Sequence, residues 1–205
     1  MKNYFRATSI LFTTLSSLST TQAIWAQNLQ KQYNVADRTF ATGSDSVSIH
    51  LNEVEGDGIV RIKGKTLTLG SIDFDVKGKD VLQRSFVGIA FHGLDDTTYE
   101  AVYFRPFNFL TTDPVRKAHA AQYIANPKYD WVKLRADYLN KYEKPVSPAP
   151  NPNKWFHLRM LVETKMISVY INYNQQAALT VEPLVNLNGK IDYWAGNNSG
   201  VTGKI

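Results

Sequence analysis

Apolar and polar residues alternate along most of the chain after residue 47, which is the period of a half-buried β-strand. The alternating runs cover 47–51, 59–62, 67–76, 85–93, 98–105, 155–162, 166–173, 179–181 and 189–196. Turn-forming residues separate most of these runs, and no strand–helix–strand spacing is present. The pattern therefore predicts about nine or ten short strands in an all-β, antiparallel two-sheet sandwich.

The segment 106–154 interrupts this alternation. Asn126 and Pro127 have the residue types of a helix N-cap and first helical position, and aromatic and apolar residues then recur at helical spacing. We expect one short helix near 127–140, followed by a proline-rich loop over 144–153. An excursion of this length in a compact sandwich either serves function or covers a sheet edge, and the sequence leaves both readings open.

The N-terminus has the features of a secretory signal peptide. Lys2 and Arg6 supply positive charge, and an uncharged, partly apolar stretch follows from Ile10. Small residues at 21–23 form a cleavage site of the kind that signal peptidases read. We predict a signal peptide over 1–26, the alternative being a polar N-terminal tail.

Cleavage gives an exported form that begins near Ile24 or Gln27 and leaves one domain over 27–205 without a membrane span. The chain contains no cysteine, so its stability cannot depend on disulfides. We expect a periplasmic or extracellular location.

Composition and charge exclude several classes of protein. Hydrophobic residues make up 43% and aromatic residues 12% of the chain, which excludes a disordered polypeptide. Without Lys2 and Arg6, 21 basic and 18 acidic residues remain, and they are scattered along the chain. We therefore expect no nucleic-acid partner.

No motif for a metal or cofactor is present. The four histidines show no metal-ligand spacing, and the chain lacks a nucleophile elbow, a phosphate loop and a dinucleotide fingerprint. Loop carboxylates of some jelly rolls hold structural Ca²⁺, but nothing in this sequence supports such a site. We expect no metal or cofactor, and folding that does not require metal.

Eight of the 25 aromatic residues lie within 99–131. Alternation directs Val102 and Phe104 towards the core, and the residues around them to the opposite face. Small residues on the preceding strand leave a depression on that face, and aromatic rings beside amide and guanidinium groups suit a sugar ring. The candidate ligand-binding residues are Tyr99, Tyr103, Arg105, Asn108, His92, Gln122 and Trp131. Alternatively, these aromatic rings pack beneath the excursion.

Three residues are candidates for catalysis. Alternation places Glu100 on the core side, where an arginine could pair with it: Arg105, Arg116 or Arg135. His119 and Tyr123, together with Gln122 and Arg105, are the residue types that polysaccharide lyases use to neutralise a uronate and move a proton. A structural ion pair is the competing role of Glu100.

Several stretches together resemble a known superfamily. They are 85–93 (SFVGIAFHG), 99–109 (YEAVYFRPFNF), 119–124 (HAAQYI), 155–157 (WFH) and 189–197. They resemble the concanavalin A-like lectin/glucanase superfamily, in its laminin-G-like and keto-disaccharide-hydrolase-like branch. The resemblance implies a jelly-roll sandwich with a glycan bound on one sheet face or its rim loops.

The resemblance does not extend to the glucanase catalytic strand, whose pattern is Glu-x-Asp-x-(x)-Glu. The nearest match, Glu55-Gly56-Asp57, lies in a turn signal and has no second glutamate. This departure argues against a retaining glycosidase, which needs two carboxylates close together.

Three hypotheses of function remain. The first is an exported carbohydrate-binding domain that uses an aromatic-lined sheet face and the 106–154 excursion. The second is a glycoside hydrolase or polysaccharide lyase, and the third a structural or assembly domain. Titratable side chains that converge in one cleft would favour the enzyme, and an aromatic groove without them would favour binding.

Overall fold

The structure is a computed structural model that describes residues 33–36, 38–43, 48–185, 188–197, 199–200 and 202–204. The predicted signal peptide, 1–26, lies outside these residues. The strands within them are β1 (Tyr33–Ala36), β2 (Phe40–Thr42), β3 (Ile49–Leu51), β4 (Gly58–Leu67), β5 (Gly70–Lys77), β6 (Val87–Gly93), β7 (Tyr99–Phe104), β8 (Ala121–Asn126), β9 (Glu143–Lys144), β10 (Trp155–Val162), β11 (Ile167–Ile171), β12 (Leu179–Val181), β13 (Gly189–Ala195) and β14 (Thr202–Lys204).

These strands form two antiparallel sheets of seven strands each. The first sheet has the order β1-β4-β13-β6-β7-β8-β9, and the second has the order β12-β11-β10-β5-β14-β3-β2. Strands from the two ends of the chain become neighbours, because β13 lies between β4 and β6 and β14 lies between β3 and β5. The predicted fold class, an antiparallel two-sheet jelly roll, is confirmed.

The core lies between the sheets and follows the alternation of the sequence. Along β10, even-numbered residues are buried and odd-numbered ones are half-buried or exposed. The ring of Phe156 in β10 meets that of Phe104 in β7 edge-on, with 5.7 Å between centroids. Phe104 therefore faces the second sheet, and its neighbour Tyr103 faces away from it.

The centre of the first sheet is covered on both faces. Every residue of β6 and β7 is buried. A sandwich strand with one face in solvent would instead have exposed residues at alternate positions. Residues of the 106–154 excursion lie at this outer face, and its strands β8 and β9 extend the same sheet beyond β7.

The excursion contains the predicted helix together with a helix that the sequence did not reveal. A 3-10 turn (Pro106–Asn108) and helix α1 (Pro114–Ala118) precede β8, and helix α2 (Trp131–Asp137) follows it. Helix α1 has only five residues, too few for a helical period to be recognised.

The predicted start of the second helix is wrong. Asn126 is the last residue of β8 and pairs with Tyr99, and its peptide bond to Pro127 is cis. Asp130 caps α2 instead, with its carboxylate accepting a hydrogen bond from the backbone N–H of Lys133 at 2.8 Å. Pairing in the sheet thus takes precedence over the local capping signal.

Candidate functional site

A cavity of about 930 Å³ lies on the outer face of the first sheet. Its volume is within the range of small-molecule sites, which is roughly 300–1,000 Å³. Side chains of β7, β8 and β13 line it together with three short loops at 82–86, 96–97 and 196–197. The excursion contributes Phe107, Asn108, Arg116, His119, Pro127, Asp130, Trp131 and Arg135.

Two aromatic rings meet on the sheet beside this cavity. Tyr103 and Trp194 lie on strands that flank β6, and their ring centroids are 4.5 Å apart with a 30° angle between the planes. Gly88 lies between them in register. A Cβ atom at Gly88 would lie 2.2 Å from the carbonyl oxygen of Val102, so the absence of a side chain there permits the close approach of the strands and the rings.

The hydroxyl of Tyr99 is a second polar feature of the lining. It accepts hydrogen bonds from Nδ2 of Asn126 and Nε1 of Trp194, both at 3.1 Å. Burial, together with the nearby Asp57 carboxylate, raises the pKa of Tyr99 to about 12. The Oδ1 atom of Asn126 is buried and accepts no hydrogen bond from any part of the chain that the structure describes. A buried, unsatisfied acceptor in a cavity is a position for a ligand donor.

Arg105 carries a buried positive charge in the cavity lining. Its side chain donates to the carbonyl oxygen of His119 and to the hydroxyl of Tyr103, both at 2.8 Å, and 6% of the residue is exposed. Burial lowers the pKa of Arg105, although a guanidinium in a protein remains charged. No carboxylate among the described residues lies within 4.0 Å of it, so the expected pair with Glu100 is not formed.

Arg116 is held in a similar way by neutral groups. Its Nε donates to Oδ1 of Asn108 at 3.2 Å, and its Nη2 donates to the carbonyl oxygen of Phe107 at 2.8 Å. Asn108, a predicted ligand residue, is thus 97% buried and uses its side-chain oxygen to position this arginine.

Trp131 forms an exposed aromatic surface at the cavity. The residue is 46% exposed, and the guanidinium of Arg135 lies 5.0 Å from its ring centroid. Arg135 in turn makes two hydrogen bonds to the carboxylate of Glu143, at 3.0 and 2.7 Å. Nδ1 of His119 lies 2.7 Å from the same carboxylate, and burial lowers the pKa of His119.

His92, a candidate ligand-binding residue, does not lie on the sheet face of Tyr103, where alternation would place it. The strand pairing shifts between β6 and β13, so that Ala90 pairs with Asp192 but Gly93 pairs with Lys190. This adds one residue to β6, and His92 adopts a φ of 54° there. The β-bulge turns His92 to the core side of the sheet, where its Nδ1 lies 2.5 Å from the carboxylate of Glu100.

The predicted catalytic residues are divided between the two faces of the first sheet. Glu100 is fully buried, and it accepts a hydrogen bond from the hydroxyl of Tyr123 at 2.5 Å. Both side chains lie on the core face of the first sheet, since Tyr123 is opposite Val102 in the ladder. His119 lines the cavity on the other face. The lyase-like combination of His119 with Tyr123 is therefore split between the two faces.

Gln122 also has a structural position. It lies opposite Tyr103, and its amide nitrogen donates to the carbonyl oxygens of Tyr123 and Tyr142 at 3.0 and 3.2 Å. It is 1% exposed and does not line the cavity.

Some lining residues were absent from the sequence prediction. Trp194 could have been found, because alternation along 189–196 places its side chain and that of Tyr193 on opposite faces of the sheet. Phe86 and the residues of the 82–86 loop, by contrast, give no periodic signal. Asp57 lines the cavity from the turn before β4. It belongs to Glu55-Gly56-Asp57, the nearest match to the glucanase catalytic strand.

The described ranges contain no cluster of three or more His, Cys, Asp or Glu side chains that could hold a metal ion. None of the helices described is long and apolar enough to cross a membrane.

Comparisons with known proteins agree on the fold. No family model and no curated protein matches the chain. Among solved structures, the carbohydrate-binding module CBM66 from Bacillus subtilis aligns with a TM-score of 0.57 at 12% identity, over 84% of this chain and 91% of the module. The lumenal domain of VIP36 in its Ca²⁺/Man3GlcNAc-bound form aligns with a TM-score of 0.56 at 10% identity, over 86% and 83% of the two chains.

A protein with a galectin-like fold from Bacillus subtilis also aligns, with a TM-score of 0.57 at 12% identity over 85% of this chain and 87% of the other. Identities this low show a shared fold and leave function to the site. The chain therefore has the lectin-like jelly-roll fold of the concanavalin A-like class.

Proposed function

We propose that this chain is a carbohydrate-binding domain that takes a saccharide into the cavity on the outer face of the first sheet. The observation that carries the proposal is the lining itself, which combines an exposed indole, a buried aromatic pair and inward-facing hydrogen-bonding groups in about 930 Å³. Sugar rings have apolar C–H faces and polar edges, so they need both kinds of surface.

The two kinds of group have different roles in this proposal. Trp131 stacks against a sugar ring at the cavity rim, where its indole is accessible. The Oδ1 atom of Asn126, which has no donor among the described residues, can accept a hydroxyl proton. Arg105 has N–H groups beyond the two that bind His119 and Tyr103, and these can donate to hydroxyl oxygens.

The structural comparisons support binding as the class of function. One similar fold is a carbohydrate-binding module, and another was solved with an oligosaccharide. The division of Glu100, Tyr123 and His119 between two sheet faces removes the combination on which the enzyme hypothesis was based. Binding is therefore the function that this geometry supports best.

The proposal includes export through the predicted signal peptide, 1–26. An exported domain would meet glycans at the cell surface or in the surrounding medium, and it would keep its fold without disulfides because the chain has no cysteine.

The decisive experiment compares two exposed tryptophans. A glycan array identifies the saccharides that the wild-type domain retains, and calorimetric titration then measures the affinity of the best one. We expect Trp131→Ala to weaken binding about tenfold or more, which corresponds to ~1.4 kcal/mol. The melting temperature should remain close to that of the wild type, because the side chain is half exposed.

Trp155→Ala is the matched control. Trp155 is 39% exposed and has a cation, Nζ of Lys204, 5.3 Å from its ring centroid, but it lies on the second sheet. Its loss should leave affinity unchanged. Equal effects of the two substitutions, or an array without any retained glycan, would contradict the proposal.

A further inference from the structure

The cavity is lined by two arginines, Arg105 and Arg116, that form no ion pair with any carboxylate in the part of the chain that the structure describes. Arg105 is anchored by a carbonyl and a phenol, and Arg116 by a carbonyl and an amide oxygen. Across the ranges that the structure describes, neither guanidinium has a carboxylate within 4.0 Å. A charge that is 94% buried, as in Arg105, is costly unless a counter-charge reaches it.

The two arginines are fixed to the same short stretch of backbone. Arg116 binds the carbonyl of Phe107 and the side chain of Asn108, and the backbone N–H of Asn108 donates to the carbonyl of Arg105 at 2.8 Å. Positive charge is thus concentrated at one part of the lining, around the 3-10 turn that follows β7.

The nearest buried carboxylate already has partners. Glu143 is 2% exposed and is bound by both Nε and Nη2 of Arg135, with His119 against the same group. It contributes to the electrostatics of Arg105 only through space. It therefore does not supply the missing counter-charge by direct contact.

The carboxylates of the lining itself have contacts elsewhere. Asp96 pairs with Arg61 at 3.3 Å, and Asp130 caps helix α2. Asp57 interacts with the hydroxyl of Tyr99. The lining therefore holds acidic groups, but they do not compensate Arg105 and Arg116 at short range.

We propose that the saccharide bound in this cavity is acidic, and that its carboxylate or sulfate group pairs with Arg105 beside Arg116. The inference rests on the proposed function and names the class of sugar. A guanidinium presents parallel N–H groups that match two oxygens of a carboxylate or sulfate. Desolvation in the cavity strengthens such a pair relative to the same pair in water.

The first test is the composition of what the domain retains. A glycan array carries neutral oligosaccharides, uronic-acid oligosaccharides and sulfated glycosaminoglycan oligosaccharides. We expect the retained glycans to be acidic. Retention of neutral glycans alone would overturn the inference and leave the proposed function standing, whereas retention of none would remove both.

The second test isolates the charge of the ligand. If uronic-acid glycans are retained, calorimetry compares the best of them with its carboxyl methyl ester, which keeps the sugar ring and removes the charge. If sulfated glycans are retained, the comparison uses the enzymatically desulfated form. Loss of at least tenfold in affinity on neutralisation supports the inference, and equal affinity contradicts it.

The third test assigns the charge to its partner in the protein. Arg116→Gln should weaken binding of the acidic glycan about tenfold while affinity for its neutralised form changes less than twofold. Arg105→Lys keeps the charge and loses the planar fork, and we expect a loss of similar size. Melting temperatures of both variants show whether each remains folded. We expect Arg116→Gln to destabilise the fold less than Arg105→Lys, because Arg116 is only half-buried.

Arg159→Gln is the control for charge as such. Arg159 pairs with Asp73 on the second sheet at 2.7 Å, and its side chain is 53% exposed. Its removal lowers the net charge equally but should leave affinity unchanged. If Arg159→Gln weakens binding as much as Arg116→Gln does, the effect is one of general charge and the assigned site is wrong.

Discussion

At the scale of single residues, buried phenols connect the cavity and the core. Tyr99 and Tyr103 lie on the cavity side of β7, and Tyr123 lies on the core side of β8. Burial raises the pKa of all three, to about 12 for Tyr99 and Tyr103. The hydroxyl of Tyr123 donates to Glu100, whereas the hydroxyls of Tyr99 and Tyr103 accept hydrogen bonds. For Tyr99 and Tyr103, the raised pKa therefore reflects the cost of burying a phenolate.

These phenols predict a loss of stability at high pH. The ordinary pKa of tyrosine is 10, so the unfolded chain releases these protons first and the folded chain retains them. The contribution is complete below pH 10 and is lost as the pH rises towards 12. Between pH 10 and 11, each such tyrosine should reduce the free energy of unfolding by about 1 kcal/mol.

Urea unfolding at pH 8, 10 and 11 checks this for Tyr103→Phe. The variant should lose about 1 kcal/mol less than the wild type over the last interval. Tyr173→Phe removes a phenol that is 74% exposed and serves as the control. Parallel curves for the wild type and Tyr103→Phe would contradict the prediction.

Alternation predicted most of the residue-scale orientations. It placed Val102 and Phe104 in the core and Tyr103 on the opposite face, as the structure shows. It failed at His92, because one extra residue in a strand reverses every orientation beyond it. The extra residue reflects the pairing of β6 with β13, which is about 100 positions away in sequence and leaves no local signal.

At the scale of elements, Glu143 holds the excursion together. This residue of β9 binds Arg135 of helix α2 through two hydrogen bonds and contacts His119, which follows helix α1. Three elements that are separate in sequence thus meet at one carboxylate that is 2% exposed. Trp131 lies on helix α2 and Arg116 on helix α1, so we expect their positions relative to the sheet to depend on this junction.

We expect Glu143→Ala to loosen the excursion selectively. The change leaves Arg135 without its counter-charge and should cost about 2–3 kcal/mol. Hydrogen exchange of amides in 106–144 should accelerate, while amides of β10 in the second sheet should exchange as in the wild type.

Glu182→Ala is the comparison. Glu182 pairs with Lys141 at 3.0 Å, but both side chains are exposed, so its loss should change stability little. Uniform acceleration over both sheets in Glu143→Ala would show that the junction supports the whole fold and not the excursion.

The excursion was the least predictable element from sequence. Its length indicated a functional or covering segment, and the structure shows that its strands extend the first sheet while its helices line the cavity. Strand β8 was not predicted, because its residues Ala121–Asn126 show little contrast between faces and are buried except at the last position. A strand covered on both sides lacks the alternation on which the prediction depended.

At the scale of the whole molecule, the sandwich depends on strands from both ends of the described chain. Strands β2 and β3 pair beside β14 in the second sheet, and β1 forms an edge of the first. The described chain from Tyr33 onward is therefore part of the folded sandwich. A signal peptidase that cuts near residue 26 would leave strand β1, which begins at Tyr33, in the exported protein.

We predict that the exported protein begins near Ile24 or Gln27. Expression in a bacterial host followed by N-terminal sequencing of the periplasmic fraction checks the position. Replacement of Ala23 and Ala26 by bulky residues should block processing, because the peptidase requires small side chains at its site. An exported protein that still begins at Met1 would show that 1–26 is not a cleaved signal peptide.

The placement of the tryptophans gives the molecule a built-in optical reporter. Of the four tryptophans, Trp25 lies within the predicted signal peptide, and cleavage that makes Gln27 the first residue would remove it. Trp131 and Trp194 line the cavity, whereas Trp155 lies on the second sheet. A saccharide that enters the cavity displaces water from one indole and adjoins the other, so intrinsic fluorescence should change in intensity and wavelength. The variant Trp155→Phe lacks the tryptophan on the second sheet. In the same titration, its fluorescence change would therefore come almost entirely from the tryptophans that line the cavity.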